Sequence, residues 1–358
     1  MAHRVTLIPG DGIGPEVSEA ARLVVEATGV QIEWDVQEAG AAVADREETP
    51  LPPRVMESIE RSRTALKGPI TTPVGTGFRS VNVALRQDLD LFAAVRPART
   101  LPGVSTRHPS VDLVVIRENT EDLYAGIEFE RGSQRLRWLR EELRRLAGFE
   151  IREDTGVTVK PISVSGTQRI VRFAFDFARR NGRQTVTVGH KANIMKFSDG
   201  VFLKHATFEA YGYPDIAFDQ IQVDEMAMRL ALEPDTLDLL LLPNLYGDII
   251  SDLCAGLVGG LGLVPGANLG WEYAVFEPVH GSAPDIAGKG LANPVAIILS
   301  AAMLLAHLRE ERAADAVRRA VTEVLAEGSV RTRDIGGTST TLEVAGSIAE
   351  AARRYVAG

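Results

Sequence analysis

Two aspartates, Asp248 and Asp252, stand four residues apart in the stretch NLYGDIISDL at 244–253. In a helix that spacing puts both side chains on one face, about 6 Å apart along the axis. Carboxylates so placed can share a hard cation such as Mg2+ or Mn2+ and leave coordination positions for water and a substrate. The plainer reading is a pair of helix-start acids that favour the dipole. Asp224, in QVDEM at 222–226, follows the end of an expected strand and offers a third carboxylate. Opposite in charge are Arg86, at the end of TPVGTGFRSVNVALR (72–86), and Arg96 and Arg117, both expected at strand ends. The planar guanidinium offers paired donors and does not lose its charge, which suits it to gripping carboxylates. Taken singly each arginine reads as a surface ion pair; only convergence of the three points to a polyanionic small molecule. Tyr124, in RENTEDLYAG, and Lys191, in HKANIMK, are groups for proton chemistry, since an amine beside a cation gives up its proton more readily. Either also has a purely structural reading.

The rest of the chain limits what these groups can serve. With 39 basic against 48 acidic residues the formal charge is −9, which argues against a nucleic-acid or anionic-membrane surface, because phosphate binding requires a basic field. An anionic substrate must therefore meet a local basic cluster. A single cysteine, Cys254, excludes an intrachain disulfide and a multi-cysteine metal site and reads as a buried thiol. The N-terminus lacks the basic segment and long apolar core of a signal peptide, so the cytoplasm is the expected location. The most apolar stretch, 296–308, contains Ser300 and His307 and falls short of a membrane span. It is expected to be a core helix.

The elements that must position the candidate groups alternate between short apolar runs and helical patterns, which predicts an α/β protein with substantial parallel sheet. At 358 residues two domains are the natural expectation. Strands are expected at 5–8, 32–37, 113–116, 185–189 and 237–242, and helices at 15–27, 168–180, 313–326 and 342–355. Residues 131–145 are dense in charge, with Trp138, Leu139, Leu143 and Leu146 on one narrow apolar face; a solvated helix and a partner-packing arm are both open readings. Gly10, Gly12 and Gly14 join the first strand to the first helix, but the third glycine comes one residue early for a dinucleotide fingerprint. A tight turn is the simpler account, with a role at a cofactor's edge as the alternative.

Taken together, the motifs LIPGDGIGPEV, TTPVGTGFRSVNVALRQDLDLFAAVRP, IRENTEDLYAGIE, GHKANIMKFSDG, NLYGDIISDL and HGSAPDIAGKGLANP resemble, in order, those of the β-decarboxylating dehydrogenases, and within them the isocitrate dehydrogenases. The resemblance implies the two-domain isocitrate/isopropylmalate dehydrogenase-like fold. Its discontinuous large α/β domain would span 1–91 and 259–358, a small α/β domain 92–121 and 164–258, and a dimer clasp arm 122–163. By position, Ser80 and Asn82 match the residues that hold the distal carboxylate distinguishing isocitrate from isopropylmalate. Arg86, Arg96 and Arg117 match the arginines gripping the other carboxylates. Tyr124 matches the acid that protonates the enolate after decarboxylation, and Lys191 the lysine that takes part in removing the hydroxyl proton. Asp224, Asp248 and Asp252 match the carboxylates that hold Mg2+ or Mn2+. Lys191 and Asp224 are expected to enter the site from the neighbouring subunit of a homodimer.

For the cofactor, the resemblance places Thr72, His280, Gly281, Ser282, Ala283, Asn293 and Asp334 along the dinucleotide, with Asp285 and Ile286 against the adenine ribose. Relatives that use NADP carry a lysine and a tyrosine at those two positions. The carboxylate of Asp285 accepts a bond from a free 2′-hydroxyl and repels a phosphate, so NAD is expected, with Arg333 as a counterweight. The implied activity is oxidative decarboxylation of isocitrate to 2-oxoglutarate. Isopropylmalate, homoisocitrate or tartrate oxidation is the alternative on the same scaffold, and a non-catalytic regulatory subunit is the alternative of another class.

Overall fold

The computed structural model describes residues 2–73 and 80–358; the middle of the TPVGTGFRSVN motif, 74–79, lies outside the described residues. The chain runs β1 (His3–Ile8), α1 (Gly14–Ala27), β2 (Ile32–Val36), α2 (Ala41–Glu47), α3 (Pro53–Ser62), β3 (Thr64–Lys67), α4 (Val81–Asp88), β4 (Ala93–Arg99) and β5 (Asp112–Glu118). A 3-10 turn (Asp122–Ala125) leads into β6 (Glu128–Phe129), α5 (Gln134–Ala147) and β7 (Val157–Thr158). Next come α6 (Val164–Arg180), β8 (Thr185–His190), α7 (Ser198–Ala210), β9 (Ala217–Gln222), α8 (Val223–Leu232), β10 (Leu239–Leu242) and α9 (Asn244–Leu257). The last elements are β11 (Pro265–Leu269), β12 (Ala274–Pro278), α10 (Val295–His307), α11 (Glu311–Glu327) and α12 (Thr341–Ala357).

Among the described residues ten strands form one mixed sheet in the order β2-β1-β3-β12-β11-β4-β5-β10-β8-β9, and β6 pairs with β7 separately. The outer strands run parallel, while β11 is antiparallel to both β12 and β4, and β4 to β5. Every strand and helix expected from the sequence is present, with ends shifted by a few residues. One expectation is corrected: Arg96 sits in the middle of β4, not at its end. Some helix starts are set by side-chain caps. Ser163 caps α6, and Thr340 and Glu343 form a capping box on α12.

Helices cover both faces of the sheet. On one face α1, α6, α10, α11 and α12 bury a continuous apolar layer across the sheet. On the other face the core is interrupted. Residues of α3 and α4 pack over β1, β3 and β12, residues of α8 and α9 over β5 and β10, and the two clusters are separate. The gap between them lies over β11 and β4. Cys254 is fully buried within the α9 cluster, and burial pushes its thiol up to about 12. No helix among the described residues is long and apolar enough to cross a membrane.

Candidate active site

Side chains alternate between the two faces of a strand, and five adjacent strands use that alternation to place polar groups on the interrupted face. Leu66 on β3 and Phe276 on β12 enter the continuous core, so Lys67 and Glu277 point the other way. On β4 and β5 the same parity sends Val95 and Ile116 into that core and leaves Arg96 and Arg117 on the site side. Asn268 of β11 completes the row. Lys67 Nζ lies 2.6 Å from Glu277, and Arg86 Nη2, reaching down from α4, lies 3.2 Å from the same carboxylate. Asn268 donates to Glu277 at 2.7 Å and accepts from Asn119 at 2.9 Å. Burial opposes the Glu277 charge, yet Lys67 and Arg86 outweigh it and hold the carboxyl well below the usual range. Motif spacing does not reveal this buried network. Its one signal in the sequence is a charged residue closing an otherwise apolar strand, in TALK and again in AVFEP.

Above the row is a cavity of about 360 Å3 lined by Ser80, Asn82 and Arg86 of α4 and its cap, Arg96, Tyr124, Asp248 of α9, and the loop at His280 and Gly281. Ser80 caps α4 and accepts a bond from Thr72 at 3.1 Å. Asn82 Oδ1 and Arg86 Nε are buried with no hydrogen-bond partner among the described residues. Buried polar atoms are normally paired, so two orphans at one cavity wall mark a place for a polar ligand.

Arg117 is completely buried. Its Nε and Nη2 donate to Asn244 at 2.9 and 2.7 Å, and its Nη1 is paired with Asp248. Gly247 makes this possible, since a Cβ there would stand 2.6 Å from the Arg117 side chain. Burial, followed by repulsion from Arg96 and Arg86, pushes Arg117 down to about 9. Arg96 lies 3.2 Å from Asp248 and 3.7 Å from Asp252, and donates to Ser251 at 2.5 Å. Burial would raise Asp248, but Arg117 and Arg96, with a 2.5 Å bond from the Tyr124 hydroxyl, hold it at about 2. Tyr124 is pushed up by burial and by the same bond, so it keeps its proton.

Asp252, one turn beyond Asp248, is raised by burial and by the neighbouring charge of Asp248, against Arg96. Two oxygen donors that repel one another, Asp248 lining the polar cavity and Asp252 one helical turn beyond it, are a donor set a divalent cation fits. Asp224 does not join them within one chain. It follows β9, bonds Lys191 at 2.5 Å and is largely exposed. Lys191 follows β8, two strands from β5 and so about 10 Å along the sheet edge from Arg117. Neither lines the cavity, and no group of three or more metal-ligating residues forms among the described residues.

The cofactor candidates form a wall on the other side. Gly12 adopts φ +60° with Ser282 O 1.9 Å from where its Cβ would be, and Ile13 N donates to that oxygen at 2.9 Å. Asp11 accepts from Thr71 N at 2.9 Å and Ala41 N at 3.0 Å, and Ser282 Oγ meets Thr71 Oγ at 2.7 Å. The glycine turn therefore clamps the Thr72 and Ser282 loops together. Ala283 has φ +37°, Ile286 N donates to its carbonyl, and Asp285 is exposed. Asn293 donates to Asp334 at 2.9 Å. His280 Nε2 is another buried atom with no partner among the described residues, and burial lowers its imidazole.

The profile of the isocitrate/isopropylmalate dehydrogenase family matches residues 4–349. The mitochondrial NAD isocitrate dehydrogenase catalytic subunit 5 of Arabidopsis thaliana is 45% identical over 346 residues, covering 96% of this chain and 87% of its own length. A regulatory chain of the mitochondrial NAD isocitrate dehydrogenase of Dictyostelium discoideum is 45% identical over 342 residues, or 95% and 89% of the two chains. A crystal structure of isocitrate dehydrogenase from Methylococcus capsulatus superposes with a TM-score of 0.90 at 48% identity, covering 98% of this chain and 99% of the other. These relatives correct the expectation of a cytoplasmic location. The two named eukaryotic proteins are mitochondrial, as are others matched with them, so the start of the chain does not decide the compartment.

Proposed function

The chain belongs to the isocitrate/isopropylmalate dehydrogenase family, and from that premise we propose that it is an enzyme that oxidises isocitrate with NAD and releases carbon dioxide, giving 2-oxoglutarate. The observation that carries this reading is the convergence of Arg86, Arg96, Ser80, Asn82, Tyr124 and Asp248 on one small cavity, with Arg117 locked behind Asp248. A compact cation-rich pocket in a chain of net charge −9 suits a small polyanion rather than a surface partner.

Asp248 and Asp252, with Asp224 lent by a second subunit, would hold the cation. The cation would supply positive charge to the substrate's C2 hydroxyl region and NAD would supply the hydride acceptor. The chain's own groups do the rest. Arg86 and Arg96, which line the cavity, hold two carboxylates, Arg117 adds its charge from behind Asp248, and Ser80 and Asn82 receive the third. Lys191 of the neighbouring subunit draws off the C2 hydroxyl proton. Once the β-carboxylate has left as carbon dioxide, Tyr124, which has kept its proton, delivers it to the enolate carbon.

In this reading residues 1–91 and 259–358 form the cofactor-side domain and 92–121 with 164–258 the substrate and dimer domain. Residues 122–163 form the clasp arm of a homodimer with shared sites. Exposed Trp138 and Leu146 on α5 are apolar area suited to a partner. Exposed Asp285, with Ile286 beside it, favours NAD over NADP. The deciding experiment is NADH formation by the purified chain on isocitrate, isopropylmalate, homoisocitrate and tartrate, with and without chelator. Metal-dependent turnover of isocitrate ahead of the others is expected. Preference for another acid refutes the substrate assignment, and no turnover at all favours a regulatory role.

A further inference from the structure

A second buried charge network lies outside the cavity. Lys160, just after β7, places Nζ 2.6 Å from Asp199 and 3.7 Å from Asp122, and 4.3 Å from the centre of the Tyr246 ring. Both aspartates are fully buried, and Lys160 is only 11% exposed. Each carboxylate also holds a main-chain N–H of a segment that carries a candidate catalytic group. Asp199 accepts the N–H of Lys191 itself at 2.7 Å. Asp122 accepts the N–H of Leu245 at 2.8 Å, three residues before Asp248, and sits two residues before Tyr124 in the same 3-10 turn. Asp122 is also held at φ +67°, a conformation unusual for any residue but glycine.

Packing alone does not account for this arrangement. Burying two carboxylates and an ammonium carries a desolvation cost for each ion before their attraction is counted, and apolar side chains of the same volume would stabilise the fold at least as well. What an ionic bridge supplies that an apolar plug cannot is fixed direction. The short Lys160–Asp199 bond is directional, and the Lys160–Asp122 pair at 3.7 Å adds unscreened charge attraction in the low-dielectric interior.

We propose that Lys160 is a positioning residue for the reaction. Through Asp199 it sets the Lys191 loop, and through Asp122 it sets the Tyr124 turn and the first turn of α9. The inference rests on the functional reading above. With sites shared between subunits, Lys160 links the proton-transfer group that one chain lends to its neighbour with the groups it keeps for its own cavity.

The test is steady-state kinetics of the intact protein carrying Lys160→Met or Lys160→Arg, with assembly checked by light scattering. Misplacing a reacting group by about 1 Å costs on the order of 10²-fold. K160M is therefore expected to lose about 10- to 100-fold in kcat with KM for isocitrate and NAD within about threefold, and K160R to recover most of kcat. A folded K160M with unchanged kcat, a loss confined to KM, or equal losses in both variants would overturn the proposal. Should K160M fail to assemble, Asp199→Asn carries the test, since it keeps an acceptor for the Lys191 N–H and removes the charge facing Lys160. The same kcat loss then supports the proposal, and unchanged kcat overturns it. Wild-type protein that turns over none of the four hydroxy acids refutes the functional reading and this inference with it. Active wild type beside an equally active K160M refutes the inference alone.

Discussion

Two groups of charged residues lie along the same edge of the sheet and differ in how they meet water. Over β3 to β5, Lys67 and Arg86 are buried against Glu277, and Arg117 is buried against Asn244 and Asp248, the latter on the cavity wall. At the ends of β8 and β9, Lys191 and Asp224 form a short pair with the aspartate two-thirds exposed. In the first group solvent cannot screen, so each charge depends on its neighbours for existing at all. In the second, water and salt do most of that work. Under the proposed function, one chain finishes the anion receptor by itself and leaves Lys191 and Asp224 where a second subunit can approach. Stability and activity should therefore separate cleanly between the two regions.

The largest effect is expected from Arg117→Met. Removing a wholly buried guanidinium leaves Asn244 and Asp248 facing a void, which should cost about 3 kcal/mol of stability and at least about 10³-fold in kcat/KM. Thermal unfolding and kinetics on the same preparation check both, and a stable variant would dissolve the contrast. Lys191→Met should lower kcat by about 10²-fold or more while leaving the unfolding midpoint within a degree or two of wild type. A large fall in that midpoint would show that the exposed pair is structural after all.

Glu277→Gln sharpens the comparison through acid stability. Glu277 and Asp248 both titrate below ordinary carboxylates, Asp248 at about 2 against 3.8. A lowered folded value means that the stability they contribute is present above the unfolded value and is lost as pH falls towards the folded one. Wild-type stability should therefore fall steeply below about pH 4, and the variant, weaker at neutral pH because Lys67 and Arg86 lose their partner, should show a shallower acid limb. Asp224→Asn should leave the acid limb unchanged, although Lys191 lowers Asp224 too, because that pair is screened. Circular dichroism against pH distinguishes these outcomes. The smallest effect is on specificity: Asp285→Lys with Ile286→Tyr should move the NAD to NADP preference by about 10-fold or more, consistent with one charge reversal at a phosphate. Unchanged cofactor ratios would remove Asp285 from the ribose.

Strands with continuous Val, Ile and Leu runs, such as β5 and β10, were readable because complete burial demands such runs. The two strands beneath the cavity were read less well. β11 holds Pro265, Gly266 and Asn268 and carries no apolar signature, and β4 was expected only as far as Arg96, because Arg96 and Pro97 interrupt its apolar run. A floor of polar groups removes the hydrophobic pattern on which strand prediction depends.

The chemical types were legible in the chain alone: acids four apart on a helix, arginines suited to carboxylates, a tyrosine and a lysine for protons, and motifs in family order. Their grouping was not. That Arg117 backs Asp248, that Glu277 pairs with both Lys67 and Arg86, and that Lys191 stands apart from the cavity depend on which strands lie side by side. Strand order is set by long-range packing of the two faces, and no local spacing in the sequence encodes it.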